Sequence, residues 1–363
     1  MVRPGGEKIW IGVVCLWLFL AFTAQSIGFG FRLVLFGLTP AVAYKPSAKV
    51  IIRTGTGARA VATQLAKEGV VTDANLFYWY ARARGVAGRM KAGEYQFPAA
   101  PTPNLVLDVL LQGKVVVYRV TIPEGATLKD VARLVAATEL AEADAILQWA
   151  RNPHLMASLN VTHPASSLEG YLFPETYVFR RTDRSQDVLR RMVLEFWRRF
   201  SPPRQAQARR MGFTVHETVT LASLVEKEAV RDDERPVIAG VFLNRLQRQM
   251  PLQSDPTAVY DLEDFKGPIL RRHLERESPY NTYLHKGLPP GPICNPGEKS
   301  LRAVLEARKS SYLYFVSNND GSHTFSSSYQ EHVEAVARIR SMKQEGRNGE
   351  TVPVNELHAE DMP

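Results

Sequence analysis

The chain has 363 residues, 45% of them hydrophobic, and 45 Lys and Arg against 37 Asp and Glu give it a formal net charge of +8. That length allows two or three domains, each with its own core. The basic residues are dispersed among acids, with no Lys/Arg stripe carrying interleaved aromatics, which argues against a nucleic-acid partner; Cys15 and Cys294 alone, outside any CxxC, exclude a disulfide framework.

No charged residue lies between Lys8 and Arg32, and a helix over 9–31 would reach about 34 Å, enough to cross a bilayer. The segment predicts a single transmembrane anchor behind a cytoplasmic head at 1–8. The rival is a cleaved signal peptide, but no A-x-A site precedes Gln25 and "GVVCLW" lacks the small residues that precede a lipid-modified cysteine. Arg3 and Lys8 on one side face Arg32, Lys45 and Lys49 on the other, so basic residues alone do not orient the span. A short head before the first apolar run matches a signal anchor, with the bulk of the chain outside the cytoplasmic (in a two-membrane cell, inner) membrane.

"KVIIRTGTGARAVATQLAKEGVVTDANLF" (49–77) reads as a strand, a Gly turn and an amphipathic helix with Val61, Ala62 and Leu65 on one side. "RVTIPEGATLKDVARLVAATELAEADAIL" (119–147) repeats this at an offset of 70, matching Ile52 to Ile122, Gly55 to Gly125, Val61 and Ala62 to Val131 and Ala132, and Phe77 to Leu147. The GTG is a turn and not a phosphate loop, since it lacks the P-loop Lys and the GxGxxG spacing. The first copy, over 46–116, resembles the LysM-like module of peptidoglycan enzymes; a packing or spacer unit is the alternative.

"SSLEGYLFPETYVF" (166–179) alternates Tyr171, Phe173, Tyr177 and Phe179 as on a strand, with Pro174 interrupting. Packing explains the rings and leaves Glu169 and Glu175 over. In "TLASLVEKEAV" (220–230), helical spacing puts Leu221, Leu224, Val225 and Glu228 on one face and Glu226 on the other, beside Val219, Ala222 and Ser223. A carboxylate on so apolar a helix is either structurally paired, with Lys227, Arg231 or Arg235 at hand, or has its pKa raised by desolvation and serves as an acid.

The next helix has Asp232 or Asp233 as its cap, Val237, Val241, Phe242 and Leu246 as its apolar side, and Asn244 and Arg245 near its end. Gln253, Asp255, Pro256 and Thr257 fall in the loop beyond, and "SPYNTYLHKGLPPGPICNPGEKSL" is a stiffened loop with Asn281, Thr282, Tyr283 and Asn295. Such amide-rich loops suit sugar recognition as well as ordinary turns. "HETVT" lacks the second His of a zinc motif, the eight His show no ligand spacing, no GxSxG occurs, and Cys294 has no evident base. No metal and no cofactor are expected. What is left is carboxylate chemistry on a polar, uncharged substrate.

"LEGYLFPETY", "LASLVEKE", "VFLNRL", "LQSDPTAVY", "SPYNTY", "GLPPGPICNPG" and "SYLYFVSNNDGSHTFSSSYQEH", in this order over roughly 50–340, resemble the YceG-like family. Ala229 stands where the family pattern leads one to expect Thr. The resemblance implies an endolytic lytic transglycosylase that cleaves the MurNAc-β-1,4-GlcNAc bond inside nascent peptidoglycan strands, leaves 1,6-anhydroMurNAc ends and terminates elongation. It implies glycan strands as substrate, a bilayer held by one helix and peptidoglycan synthases as partners, and it places the catalytic glutamate at Glu226 with Glu228 in support.

One carboxyl can serve such a lyase, first protonating the glycosidic oxygen and then accepting the C6 hydroxyl proton as that oxygen closes on C1. A hydrolytic muramidase would need a second carboxylate, from Asp255, Glu169 or Glu175; a non-catalytic wall-binding scaffold would need none. Asn244, Gln253, Asn281, Tyr283 and His323 are the expected glycan contacts. The fold expected is α+β: the transmembrane helix, the small LysM-like α/β module, and a larger mixed α+β catalytic region over 117–341. That region comprises a repeat-like strand-helix piece (117–163) and an active-site core (164–341), followed by a disordered tail at 342–363.

Overall fold

A computed structural model describes the chain over residues 6–41, 45, 49–162, 164–263 and 265–348. It is a mixed α+β structure of two compact units, Met1–Tyr118 with Arg180–Thr182 and Arg119–Phe179 with Asp183–Pro363. Of the expected head over 1–8, residues 1–5 lie outside the described residues and 6–8 are already helical.

In the first unit, α1 (Gly6–Leu38) contains a stretch, Val13–Leu38, long and apolar enough to cross a membrane. The helix runs past Arg32, where the run of uncharged residues stops, because its end packs on α3 (Ala74–Ala83): Phe36 meets Tyr80 edge to face at 6.4 Å, and Phe29 meets Trp79 at 6.5 Å. The strand β1 (Val50–Ile52), the helix α2 (Ala58–Lys67), α3, and the strand β2 (Gly93–Tyr95) follow, and β1 and β2 pair antiparallel with Ile51 opposite Glu94. Val61, Ala62 and Leu65 are buried with Phe77, Tyr95 and Phe97. Asp73 caps α3 by accepting from Leu76 N at 2.9 Å, and α4 (Pro103–Gln112) starts with proline after the Thr102 cap.

The second unit opens at Arg119, within β3 (Val117–Thr121), and carries the other copy of the repeat with α5 (Leu128–Ala136) and α6 (Ala143–Ala150). Gly55 and Gly125 turn the chain at φ +84 and +77, a region that glycine enters without steric cost. Ile122, Val131 and Ala132 are buried as their partners are. The match fails at Leu147, which is half-buried; Ile146 and Ala150 occupy the buried places of Phe77 and Ala81, because α5, with 9 residues, is one residue shorter than α2, with 10, and α6 therefore starts one residue early.

After α7 (Pro153–Ser158), Tyr171, Leu172 and Phe173 are all buried in an irregular segment, and the strand β4 (Thr176–Arg180) begins only beyond Pro174 and pairs with β3. The helices α8 (Ser185–Arg199) and α9 (Pro202–Arg210) lead to α10 (Val215–Glu228), which packs against α9, α11 (Arg235–Gln247) and α13 (Glu298–Leu305). Between α11 and α13 lie a 3-10 turn (Asp255–Ala258) and α12 (Arg271–Leu274). The cap of α11 is Glu234, not Asp232 or Asp233: Asp232 is drawn to Arg235 and Lys299 instead.

β5 (Tyr314–Ser317) and β6 (His323–Ser326) form a hairpin whose register pairs Phe315 with Phe325 and Ser317 with His323, putting Phe315, Ser317 and His323 on one face. The final helix, α14 (Tyr329–Asn348), continues past Met342, so the start of the expected disordered tail is helical; 349–363 lie outside the described residues.

Candidate active site

α10 is a core helix. Its start is fixed by a capping box in which Thr214 Oγ1 accepts from Glu217 N at 3.1 Å and Glu217 Oε2 accepts from Thr214 N at 2.8 Å, which accounts for the carboxylate of "HETVT". From Thr218 to Val225 every residue is buried. Only the last turn reaches polar surroundings, and there Glu226, Lys227 and Glu228, about 100° apart around the axis, leave in three directions.

Glu226 turns toward α13. Its Oε1 accepts from Arg235 Nη1 at 3.1 Å and its Oε2 from the backbone N of Gly297 at 2.9 Å, and the two side chains of this ion pair are only 5% (Glu226) and 8% (Arg235) exposed. Arg235 also donates to Ser300 Oγ at 2.5 Å and to Asp232 Oδ1 at 3.1 Å. Both oxygens of Glu226 are thus engaged in joining α10 to α11 and α13. This is the structural pairing that the sequence left open, with Arg235 as the partner.

Glu228 opens onto a cavity of about 290 Å³ whose wall includes Arg245, Gln253, Asp255, Tyr283 and His323. Ser254 Oγ donates to its Oε1 at 2.5 Å. Burial pushes the Glu228 carboxyl up to about 7; the Ser254 hydrogen bond opposes that rise and the charge of Asp255 adds to it. A carboxyl of this kind is partly protonated at neutral pH and ionises without large cost, the property required of one group that acts first as acid and then as base.

Of the expected glycan contacts, three reach this cavity. Gln253 sits at φ +50 and accepts from Arg245 Nη1 at 3.1 Å. Tyr283 hydroxyl donates to Asp255 Oδ1, and burial, with the Asp255 charge, pushes the phenol up. His323 is held through Nδ1 by Glu234 Oε2 at 2.6 Å and through its backbone N by Glu234 Oε1 at 3.0 Å, so Nε2 is the nitrogen left for a ligand.

The other expected site residues lie elsewhere. Asn244 straps a loop through Ser310 O (2.9 Å) and Tyr312 O (2.8 Å), and Asn281, fully buried, donates to Leu274 O (2.9 Å) and Arg276 O (2.8 Å). Glu169 is buried and accepts from Leu128 N at 2.9 and 3.0 Å, Tyr260 hydroxyl at 2.9 Å and Asn295 Nδ2 at 3.1 Å. Burial pushes it up to about 7 despite those donors, yet all of them are internal braces. Glu175 is exposed and pairs with Arg199 at 3.3 Å.

Three cavity or near-cavity groups escaped the sequence reading. Ser254 lies within "LQSDPTAVY" but a lone serine carries no signal. Arg245 is buried and donates to Leu313 O (2.6 Å), Leu252 O (2.9 Å) and Pro251 O (3.1 Å), shaping the wall. His332, stacked on Tyr314 at 5.2 Å, lines the cavity with its Nδ1 buried and without a hydrogen-bond partner among the described residues, and burial followed by the charge of Arg245 pushes its pKa down.

Comparison with known proteins gives a consistent picture. The family model described as YceG-like family matches residues 50–338. The chain is 32% identical over 318 residues to the endolytic murein transglycosylase of Bacillus subtilis strain 168, covering 83% of this chain and 87% of that one. It is 31% identical over 356 residues to the endolytic murein transglycosylase of Streptococcus pneumoniae D39, covering 90% of this chain and 64% of that longer one. A crystal structure of a YceG-like protein from Listeria monocytogenes superposes with a TM-score of 0.57 at 33% identity, covering 79% of this chain and 98% of the other.

Proposed function

The chain belongs to the YceG-like family, and on that premise we propose that it is an endolytic murein transglycosylase, a lyase acting inside peptidoglycan glycan strands. The reading is supported by relatives of that name aligned over most of the chain and by one cavity carrying a carboxyl poised near neutrality.

The observation that carries the mechanism is the pair of environments at the end of α10. The role that the resemblance gave to Glu226 fits Glu228 better. Glu226 has both oxygens taken by Arg235 and Gly297, whereas Glu228 lines a cavity and has Ser254 as its one hydrogen-bond donor among the described residues. In our reading protonated Glu228 gives its proton to the oxygen leaving the muramoyl C1. The resulting carboxylate takes the proton of the C6 hydroxyl as that oxygen closes on C1, so no water enters and the end formed is 1,6-anhydro. Ser254 orients the carboxyl; Gln253, Tyr283 and His323 contact the sugars.

One observation favours a second reading. Asp255 shares the cavity wall with Glu228, held by Tyr283, and a second carboxylate is what a hydrolytic muramidase would use to activate water. Mass spectrometry of products from purified peptidoglycan separates them: anhydro ends support the lyase, reducing ends the hydrolase, and no cleavage a non-catalytic wall-binding role.

α1 is proposed as a single-pass anchor in the cytoplasmic membrane, inner in a two-membrane cell, with the catalytic region outside the cytoplasm; its apolar span supports this. The unit around β1, α2, α3 and β2 is proposed as the LysM-like module. Termination of nascent strands beside peptidoglycan synthases is the biological role that follows from a membrane-tethered endolytic lyase.

A further inference from the structure

Lys227, between the two glutamates, leaves α10 toward a second cavity of about 310 Å³. Lys129 and Arg133 from α5 and Lys266 from the loop before α12 also line it, with Val259, Phe265 and Ile269 as apolar wall. Among the described residues its one lining acid, Asp130, is already committed: it accepts from Thr127 N at 2.9 Å and Thr127 Oγ1 at 2.7 Å to cap α5, and pairs with Arg133 at 2.6 Å. Lys129 Nζ reaches Leu262 O at 3.4 Å. Lys227 and Lys266 are exposed, and no carboxylate among the described residues pairs with either. Three lysines therefore stand in excess of the Arg133–Asp130 pair, a cluster whose mutual repulsion an anion would relieve.

The two cavities share a wall. Glu228 lines one and its neighbour Lys227 the other; Asp255 lines one and its neighbour Pro256 the other. Consecutive Cα atoms are 3.8 Å apart, so the backbone at 227–228 and at 255–256 is the partition between the two cavities. Mixed lysine and aliphatic lining suits an anion carried on an apolar stem.

We propose that this second cavity is a subsite for the acidic peptide attached to the glycan, its carboxylates meeting Lys129, Lys227 and Lys266 and its aliphatic parts meeting Val259, Phe265 and Ile269. The inference rests on the murein-cleaving reading, since the peptides of murein are attached to the muramic acid whose C1 is attacked. It makes the enzyme a reader of peptide-bearing strands in preference to naked ones.

The test is a binding measurement, independent of turnover. The detergent-solubilised full chain is titrated with a soluble tetrasaccharide bearing its peptides and with the same tetrasaccharide after an amidase has removed them. The wild type should bind the peptide-bearing ligand about five- to tenfold more tightly at low salt, a preference that shrinks as salt is raised. Lys227→Met combined with Lys266→Met should abolish the preference while leaving affinity for the stripped glycan unchanged; Lys227→Arg should keep it. Equal affinity of the wild type for both ligands, or an undiminished preference in the double variant, would overturn the subsite. A preference that survives in a protein yielding no anhydro ends would remove the reaction and keep the subsite, so the two failures are distinguishable.

Discussion

Ser254 Oγ donates to Glu228 Oε1 at 2.5 Å, and two residues earlier in the same helix Glu226 is closed off by Arg235 at 3.1 Å. One carboxyl of α10 is therefore tuned by a neutral donor at a cavity, the other tied by a cation inside the protein.

Glu228 leaves a signature in stability as well as in rate. Its carboxyl is held up to about 7 in the folded chain, against an ordinary value of 4.5. Burial penalises only the ionised form, so the penalty is absent below pH 4.5, grows as pH rises from there, and is complete above about 7, where it amounts to ~3 kcal/mol. Glu228→Gln should melt several degrees above the wild type at pH 8 and together with it at pH 4, measured by thermal unfolding.

Ser254→Ala removes the one hydrogen bond that holds the Glu228 carboxyl down. The alkaline limb of the pH–rate profile should move to higher pH, with an unchanged fold by circular dichroism; an unmoved limb would dissociate Ser254 from the acid.

Glu226→Gln should damage stability first. It leaves Arg235, 8% exposed, without its buried partner, and removing one member of such a pair costs about 3–5 kcal/mol. The melting temperature should fall by several degrees, while the folded fraction still cleaves.

Gly170→Ala probes the scaffold behind α10. Gly170 adopts φ +84, and an added Cβ would lie 2.5 Å from Pro292 Cγ and 2.8 Å from Val219 Cγ1 on α10. Strain and overpacking together should cost about 2–4 kcal/mol, read from denaturant unfolding.

The repeat, the N-terminal apolar run and the burial of α10 were legible because each depends on local pattern: a strand-turn-helix read twice, an uncharged run, an apolar helix with two acids. What separates Glu226 from Glu228 is tertiary. Arg235 was visible as one of three candidate cations, but its choice depends on α11 folding back beside α10. Ser254 reaches Glu228 across 26 positions of sequence, and Gln253 and Tyr283 join the cavity through loops whose shape no periodicity records. Asn244 and Asn281 had the residue type of sugar contacts and serve as loop braces, because an amide that satisfies backbone carbonyls looks the same in sequence as one that faces a ligand. The slip from Leu147 to Ile146 came from α5 being one residue shorter than α2, which a fixed offset cannot register.

Anhydro-end formation on purified peptidoglycan, measured with the wild type, Glu228→Gln and Glu226→Gln side by side and each scaled to its folded fraction, distinguishes the two carboxyls. We expect Glu228→Gln to lose at least a hundredfold in rate while folding normally, and Glu226→Gln to keep activity within about tenfold. Anhydro ends formed by Glu228→Gln at the wild-type rate, or their loss in a well-folded Glu226→Gln alone, would contradict the assignment of the proton donor to Glu228.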